Sequence, residues 1–572
     1  MNQPSPAIVA QGAVRRLPRA ALWIFVLAYV FPGFIDRLPW RVDDLTSYAY
    51  MKALATGQSS WMTPSFMGMA PEVDGLLPYW IGAWAIQLAP SWIPSDLAVR
   101  LPFMALLALT LISVWQGINY LARSPLAQPV AFAFGGEARP NDYARTMADG
   151  GLLAFVASLG LAHLSHETTP ALVQLCCVAL SFYAYAALPF RRWTPAFAAL
   201  AGLIGLTLSG GPSMAVMLSL GGLLAHALDR HQAQAEPTRH RRGLWRLLAY
   251  TVGIVLLASV LHLWRWRIEF PSASWKALKE FGSLMLWFTW PLWPLVLWTL
   301  WRWRRQAFAP WPSRHITLPL WFALITVGAT FITPAGDRAL LLALPALATL
   351  AAFALPTLDR SVSALIDWFT LIFFSTCALV IWVVWIAMQT GYPPQPATNV
   401  ARLLPEYEPR FIILPFIFAT LATLAWGWLV RWRTGRHRAA LWKSMVLPAG
   451  GAALCWLLLT TLWMPAADFA MSYKHLSQRI EHAVKPSPCL AYFGLSRSQL
   501  AGLQEHTGLK LEAMTEQSRC EWLLVDLPIV RQTPEIVNAE LWQPHQEFGH
   551  PRPGEEPLLL LRRKAGTQPP HP

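Results

Sequence analysis

Hydrophobic residues fall into thirteen long runs separated by short polar or basic joints. They cover residues 21–35, 97–121, 151–162, a fourth run that begins at Pro170 and ends at Arg191 and Arg192, then 195–208, 214–228, 247–263, 284–300, 318–332, 340–355, 365–388, 411–430 and 441–463. Crossing a ~30 Å hydrocarbon core takes about 20 apolar residues in a helix. Runs of this kind therefore predict an all-α polytopic membrane protein with about 13 transmembrane helices. Residues 76–88 are equally apolar but short, which predicts a helix lying at the interface. From about residue 465 the pattern changes. CLAYFG, CEWLLVDLP and PLLLLRRK read as strands, and SRSQLAGLQEH as a helix with Ser496 or Ser498 near its start. The expected organisation is a membrane domain over 1–464, with its first external loop at 37–96, and a small α/β domain over 465–572. The final KAGTQPPHP is expected to be disordered.

Composition agrees with that pattern. At 55% hydrophobic and 13% charged residues, with a mean hydropathy of +0.38, a soluble globular protein is excluded. A net charge of +14 would suit a nucleic-acid partner, but Lys and Arg sit in short clusters between spans, where they act as topology signals. No small-residue cleavage site follows the first run, so it is expected to be retained with its N-terminus in the cytoplasm. Alternate loops then place Arg15, Arg16, Arg19, Arg123, Arg139, Arg145, Arg191 and the clusters around Arg241, Arg304 and Arg433 inside. The acidic loop and the C-terminal domain face outward, to the periplasm of a bacterial inner membrane. No internal repeat of the transporter kind is present.

Residues 40–80 concentrate Asp43, Asp44, Glu72 and Asp74 beside hydrocarbon-length segments. One reading makes Asp44 a helix cap and Asp43 a solvated acid. The other makes a carboxylate at the mouth of a membrane cavity the general base for an acceptor.

RVDDLTSYAYMKALATGQSSWMTPSFMG, LPYW and SDLAVRLPFMALLAL resemble the polyprenyl-phosphate-dependent glycosyltransferases of the GT-C superfamily. These include the aminoarabinose transferase of lipid A and the protein O-mannosyltransferases. WMTP at 61–64, PYW at 78–80 and AVRLP at 98–102 match family positions as they stand. The resemblance is strongest over the first hundred residues. It implies a GT-C fold, a polyprenyl-phosphate sugar donor and a lipid (lipid A-like) or other envelope acceptor, and it aligns Asp43 with the family's catalytic acid, beside Asp44. Glu72, Asp74 and Tyr79 become candidates for substrate binding.

Two departures matter. Where the family often has Glu-Lys-Pro-Pro, this chain has Glu72, Val73, Asp74 and Gly75; where it often has Leu-Thr-Lys-Gly-Pro, Gly210 replaces the Lys. A donor phosphate must therefore find other cations. Arg100, Arg265, Arg267, Lys276, Lys279, Arg338, Arg402 and Arg410 face outward in this topology, and Arg338, which opens a span, is favoured. His163, His166 and Glu167 could ligate a divalent metal ion or form a polar turn; no complete ligand set is visible. Glu167 also sits where the family often places an acid before a Pro, which makes it and His166 candidates for substrate contact. Cys176, Cys177, Cys377 and Cys455 fall inside spans. Cys489 and Cys520 alone lie in the external domain, each opening a strand, and are expected to form a disulfide. A lipid or glycan transporter would explain the spans without transfer chemistry, but should bury ionisable residues at mid-membrane.

Overall fold

The computed structural model describes residues 5–40, 42–229, 233–234, 236–264, 274–307, 313–333, 336–435, 440–487, 489–515, 518, 520–532, 540–549 and 557–564. Helices occupy each of the thirteen apolar runs, but length sorts them. Among the described residues Ser95–Ala122, Pro170–Ala187, Pro237–Val260, Arg360–Thr390, Ile413–Thr434 and Leu441–Leu462 are long and apolar enough to cross a membrane unaided. Others are short: the 12 residues of Arg19–Val30 reach only about 18 Å at 1.5 Å per residue. By length and composition alone, six of the described helices pass as spans, or up to seven if a bent pair counts as one.

The bent pair replaces the continuous helix expected at 284–300. Trp275–Phe288 and Leu292–Arg302 meet at 85°. Pro291 has no N–H to give to the helix and disfavours helical backbone at the residue before it, so the helix stops there and restarts in a new direction.

Burial separates central from peripheral helices. The apolar window of Pro170–Ala187 is 83% buried within the protein, against 11% for Ile413–Thr434, so the first is surrounded by other helices and the second faces outward along most of its surface. Leu77–Leu88 packs on both Asp43–Ala55 and Ser95–Ala122. Gly82 makes that close approach possible, since a Cβ there would lie 2.2 Å from the Met51 sulfur.

The C-terminal unit is a five-stranded sheet. Its strands are Cys489–Phe493 (β1), Lys510–Ala513 (β2), Trp522–Asp526 (β3), Trp542–Phe548 (β4) and Leu558–Arg563 (β5), in the order β2-β1-β3-β5-β4. β1 runs parallel to β2 and β3, and β5 antiparallel to β3 and β4. β3 is buried on both faces. Leu524 joins the large cluster shared with the membrane helices, while Leu523 and Val525 join a separate cluster on the other face. The helix Arg497–His506 links β1 to β2. Ser496 is its cap: the Ser496 side chain accepts from the Gln499 N–H and the Gln499 side chain accepts from the Ser496 N–H. The helix packs on Asp43–Ala55, where Lys52 meets Glu505 at 2.6 Å.

Cys489 and Cys520 sit on neighbouring strand starts with their Cα atoms 5.3 Å apart and are joined as a disulfide. Their 31-residue separation corresponds to a stabilisation of roughly 3 to 4 kcal/mol on the chain-entropy model. Protein unfolded without reductant should accordingly titrate only the four thiols of Cys176, Cys177, Cys377 and Cys455. Six reactive thiols would show that the bond does not form.

Candidate active site

The helix Asp43–Ala55 starts at the acidic pair. Successive residues on a helix are turned about 100° from one another, so adjacent carboxylates face different surroundings. Asp43, Thr46, Ser47 and Tyr50 share the face that lines a cavity of about 560 Å³. Asp44, Leu45, Tyr48 and Met51 are buried.

Asp44 is not a helix cap, because no side chain caps this helix. Its Oδ2 accepts from Arg37 Nη2 at 3.1 Å and from the Trp40 N–H at 3.2 Å; its Oδ1 accepts from the Thr168 N–H at 2.7 Å and the Thr168 hydroxyl at 2.6 Å. Burial alone would raise its pKa, but Arg37, Arg100 and the two Thr168 bonds together hold it below the usual carboxylate value. Its hydrogen-bonding capacity is spent on protein, and unlike Asp43 it does not line the cavity.

Asp43 is about one-third exposed. Its Oδ2 lies 2.5 Å from Arg338 Nη2, and the same nitrogen lies 3.2 Å from Glu167 Oε2. Arg338 therefore bridges the start of the helix Asp43–Ala55 and the 165–169 turn. Burial raises the Asp43 pKa, opposed by Arg338 and reinforced by Glu72, Asp337 and Asp44. Burial also pushes Glu167 up to about 7, against the pull of Arg338.

The far wall is built from the 72–76 turn and the 208–212 turn. The Leu76 N–H donates to the Leu208 carbonyl at 2.6 Å, and Gln174 donates to the Ser209 carbonyl at 2.6 Å. Tyr79 is buried, and its hydroxyl donates to the Val73 carbonyl at 3.3 Å, holding the turn that carries Glu72 and Asp74. Gly210 has φ +84°, a left-handed backbone that a Lys at this position would adopt only with strain. Arg497, from the C-terminal helix, also lines the cavity, with Nη1 2.9 Å from Glu72 Oε1.

Of the residues expected from sequence, Asp43, Glu72, Asp74, Tyr79 and Arg338 meet at this cavity, with Glu167 behind Arg338. Arg100 does not. It is buried, and its Nη1 donates to the backbone carbonyls of Phe34 and Arg37, so it supports the loop from behind. His166 is a packing residue: its Nδ1 and Nε2 face the carbonyls of Ala162 and Tyr29 at 2.5 and 3.0 Å. Of the three residues considered for a metal, that leaves His163 and Glu167, 3.5 Å apart. Among the described residues the only three-ligand grouping is Cys489, Glu512 and Cys520, whose sulfurs are in the disulfide. Lys276, Lys279, Arg402 and Arg410 do not line the cavity among the described residues, and Arg265 and Arg267 lie outside the described residues.

Sequence reasoning missed Arg37, Thr168 and Arg497. Arg37 stands seven residues before Asp44 in the same loop and was open to pairing. Arg497 is 425 positions from Glu72 and gave no local signal. Asp468 was also passed over: it accepts from Trp40 Nε1 at 2.6 Å and the Leu38 N–H at 3.2 Å, pinning the loop from the helix Met464–Met471.

A helical membrane body, an acidic loop over a cavity and an appended small sheet make up the architecture. Two solved structures share the fold: ArnT from Cupriavidus metallidurans bound to undecaprenyl phosphate, with a TM-score of 0.59 at 12% identity, and the same protein in the apo state, with 0.55 at 13%. Each comparison covers 97% of this chain and 100% of the other. At that identity the likeness is one of fold. No protein-family model and no curated protein matches the sequence.

The two carboxylates should separate experimentally. Asp44→Ala leaves Arg37 buried without its ion-pair partner and should cost about 3 to 5 kcal/mol. Asp43→Ala removes a half-open pair and should cost no more than about 1 kcal/mol. Thermal unfolding of the purified variants checks this, and equal losses would reject the division of roles.

Proposed function

We propose that the protein is an integral-membrane glycosyltransferase that moves a hexosyl or pentosyl group from a polyprenyl-phosphate donor to a lipid A-like or other envelope acceptor on the outer face of the cytoplasmic membrane. One observation carries this reading: the cavity sets the Asp43 carboxylate against Arg338 and adds a second cation, Arg497, from the external sheet unit. In transfer, the bond from the anomeric carbon to the donor phosphate oxygen breaks, and a bond to the acceptor oxygen forms. Asp43 takes the acceptor proton. The leaving phosphate keeps the bonding electrons, and Arg338 and Arg497 neutralise its charge. Together they stand in for the lysines absent at Val73 and Gly210. Because Arg338 is shared between Asp43 and Glu167, a phosphate that claims it also frees Asp43 to act as base. No step is assigned to a metal.

The same reading includes thirteen crossings, with the N-terminus inside and the sheet unit in the periplasm, on the charge asymmetry of the loops. A transporter is disfavoured by where charge lies. Its substrate site would use ionisable groups on a broken mid-membrane helix, yet the break at residues 289–291 is Thr-Trp-Pro. The acids gather at the external loop instead.

Turnover tests the assignment. Asp43→Asn keeps the shape but removes the proton acceptor, and should lower kcat ~10²-fold or more with the fold intact. In the wild type, activity should fall as pH drops and Asp43 takes up a proton, above the usual carboxylate range. It should also rise through about pH 7 as Glu167 ionises and draws Arg338 from Asp43. Glu167→Gln should lose that upper rise and keep the lower limb. An active Asp43→Asn, or an unchanged profile in Glu167→Gln, would remove the residue concerned from the mechanism.

A further inference from the structure

A second cavity, of about 440 Å³, is lined by Arg191, Arg192, Arg239, Arg242 and Arg246, together with His226. Two helices fix its place. Thr194–Leu208 and Pro212–Ala227 each have one end at the acidic cavity, through Leu206 and Pro212, and the other end at this one, next to Arg192 and through His226. Helices of 15 and 16 residues span about 22 to 24 Å. The arginine cavity therefore belongs to the opposite end of the helical body.

Headgroup anchors spread around a rim would each face lipid, whereas these five converge on one concavity, and among the described residues no acidic side chain lines it. Their protein contacts leave donors over. Arg191 gives Nε to the Tyr120 hydroxyl at 3.2 Å, Arg246 gives Nη1 to the Arg192 carbonyl at 3.4 Å, and Arg239 meets Glu236 at 3.0 Å. Arg192 lies 5.0 Å over the Trp193 ring. Arg242 is exposed and makes no hydrogen bond or ion pair among the described residues. Like charges brought together in this way call for an anion, and guanidinium forks match paired phosphate oxygens. Beside them Trp193, Phe197 and Trp245 are exposed, the arrangement of an aromatic belt at headgroup depth, with apolar surface continuing toward the membrane interior.

We propose that this cavity binds the phosphate headgroup of an anionic phospholipid on the membrane face opposite the acidic cavity. A free phosphate shares the headgroup chemistry, but the exposed rings beside the arginines favour a ligand that carries acyl chains. The inference holds whether or not the chain transfers sugar.

The test uses the full-length protein in phosphatidylcholine nanodiscs titrated with phosphatidylglycerol, with bound lipid counted by native mass spectrometry. The wild type should retain at least one phosphatidylglycerol. Arg191→Gln/Arg242→Gln should weaken that binding roughly tenfold or more, and Arg242→Gln alone, which loses no internal partner, should weaken it by a smaller factor. The lysine pair Arg191→Lys/Arg242→Lys should restore part of it. Arg241→Gln/Arg431→Gln removes the same charge from outside the cavity and should leave binding unchanged. Equal weakening by the control pair would reduce the effect to general surface attraction and overturn the proposal. So would displacement of phosphatidylglycerol by inorganic phosphate alone at millimolar concentration, which would make this a free-phosphate site.

Discussion

A buried ion pair between Asp44 and Arg37, with the Arg100 charge enclosed nearby, is the constraint on which the active region depends. Asp44, Arg37 and Arg100 are each almost fully enclosed. Taking such charges out of water costs several kcal/mol per ion, and only good geometry with further hydrogen bonds offsets it. Here the bonds come from four parts of the chain: the loop at 37–40, the start of the helix Asp43–Ala55, the turn at 166–168 and the helix Ser95–Ala122. Arg37 also donates to the His166 carbonyl at 3.0 Å, and Asp468 hooks the same loop from beyond the last long helix. Loss of Asp44 or Arg37 leaves the other charge buried and unpaired, so the segments are held together as a unit.

That fixed base is what lets Asp43 do something different. One position earlier on the helix, it points into a cavity and shares Arg338 with Glu167. A single helical step gives two identical side chains opposite environments. One is held ionised by surplus positive charge and full hydrogen bonding, and the other is raised by burial toward the range where a carboxylate exchanges protons. The sheet unit contributes as well, because Arg497 and Glu505 both reach the 43–72 segment from one helix. The sheet unit thus forms part of the cavity wall.

Much of the helical frame was legible because lipid demands uninterrupted apolar runs, and such runs are conspicuous in sequence. Crossing was less legible than helicity, since several apolar helices are too short to span by themselves. The break at Pro291 was visible in the WPLWP pattern and was passed over. In the sheet, β1, β3 and β5 were readable from their apolar runs, whereas β2 (KLEA) and β4 (WQPHQEF) are polar edge strands. β4 buries only its two ends and gives no alternation to read. At the site, the acidic cluster and Arg338 were findable from local chemistry. The division between Asp43 and Asp44 was not, because it depends on Thr168 and Arg100, which the fold brings in from elsewhere. Gly210 read as a missing lysine; the left-handed backbone there shows a turn whose shape a lysine would disturb.

The central claim is that this cavity breaks a sugar–phosphate bond. Purified protein can be mixed with a labelled pool of polyprenyl-phosphate sugars and an envelope lipid extract, with both products followed over time. Release of polyprenyl phosphate in step with the appearance of label on an acceptor is the result this account predicts. Binding of the donor, or its movement across liposomes with the sugar–phosphate bond intact for every sugar and acceptor tried, would contradict it.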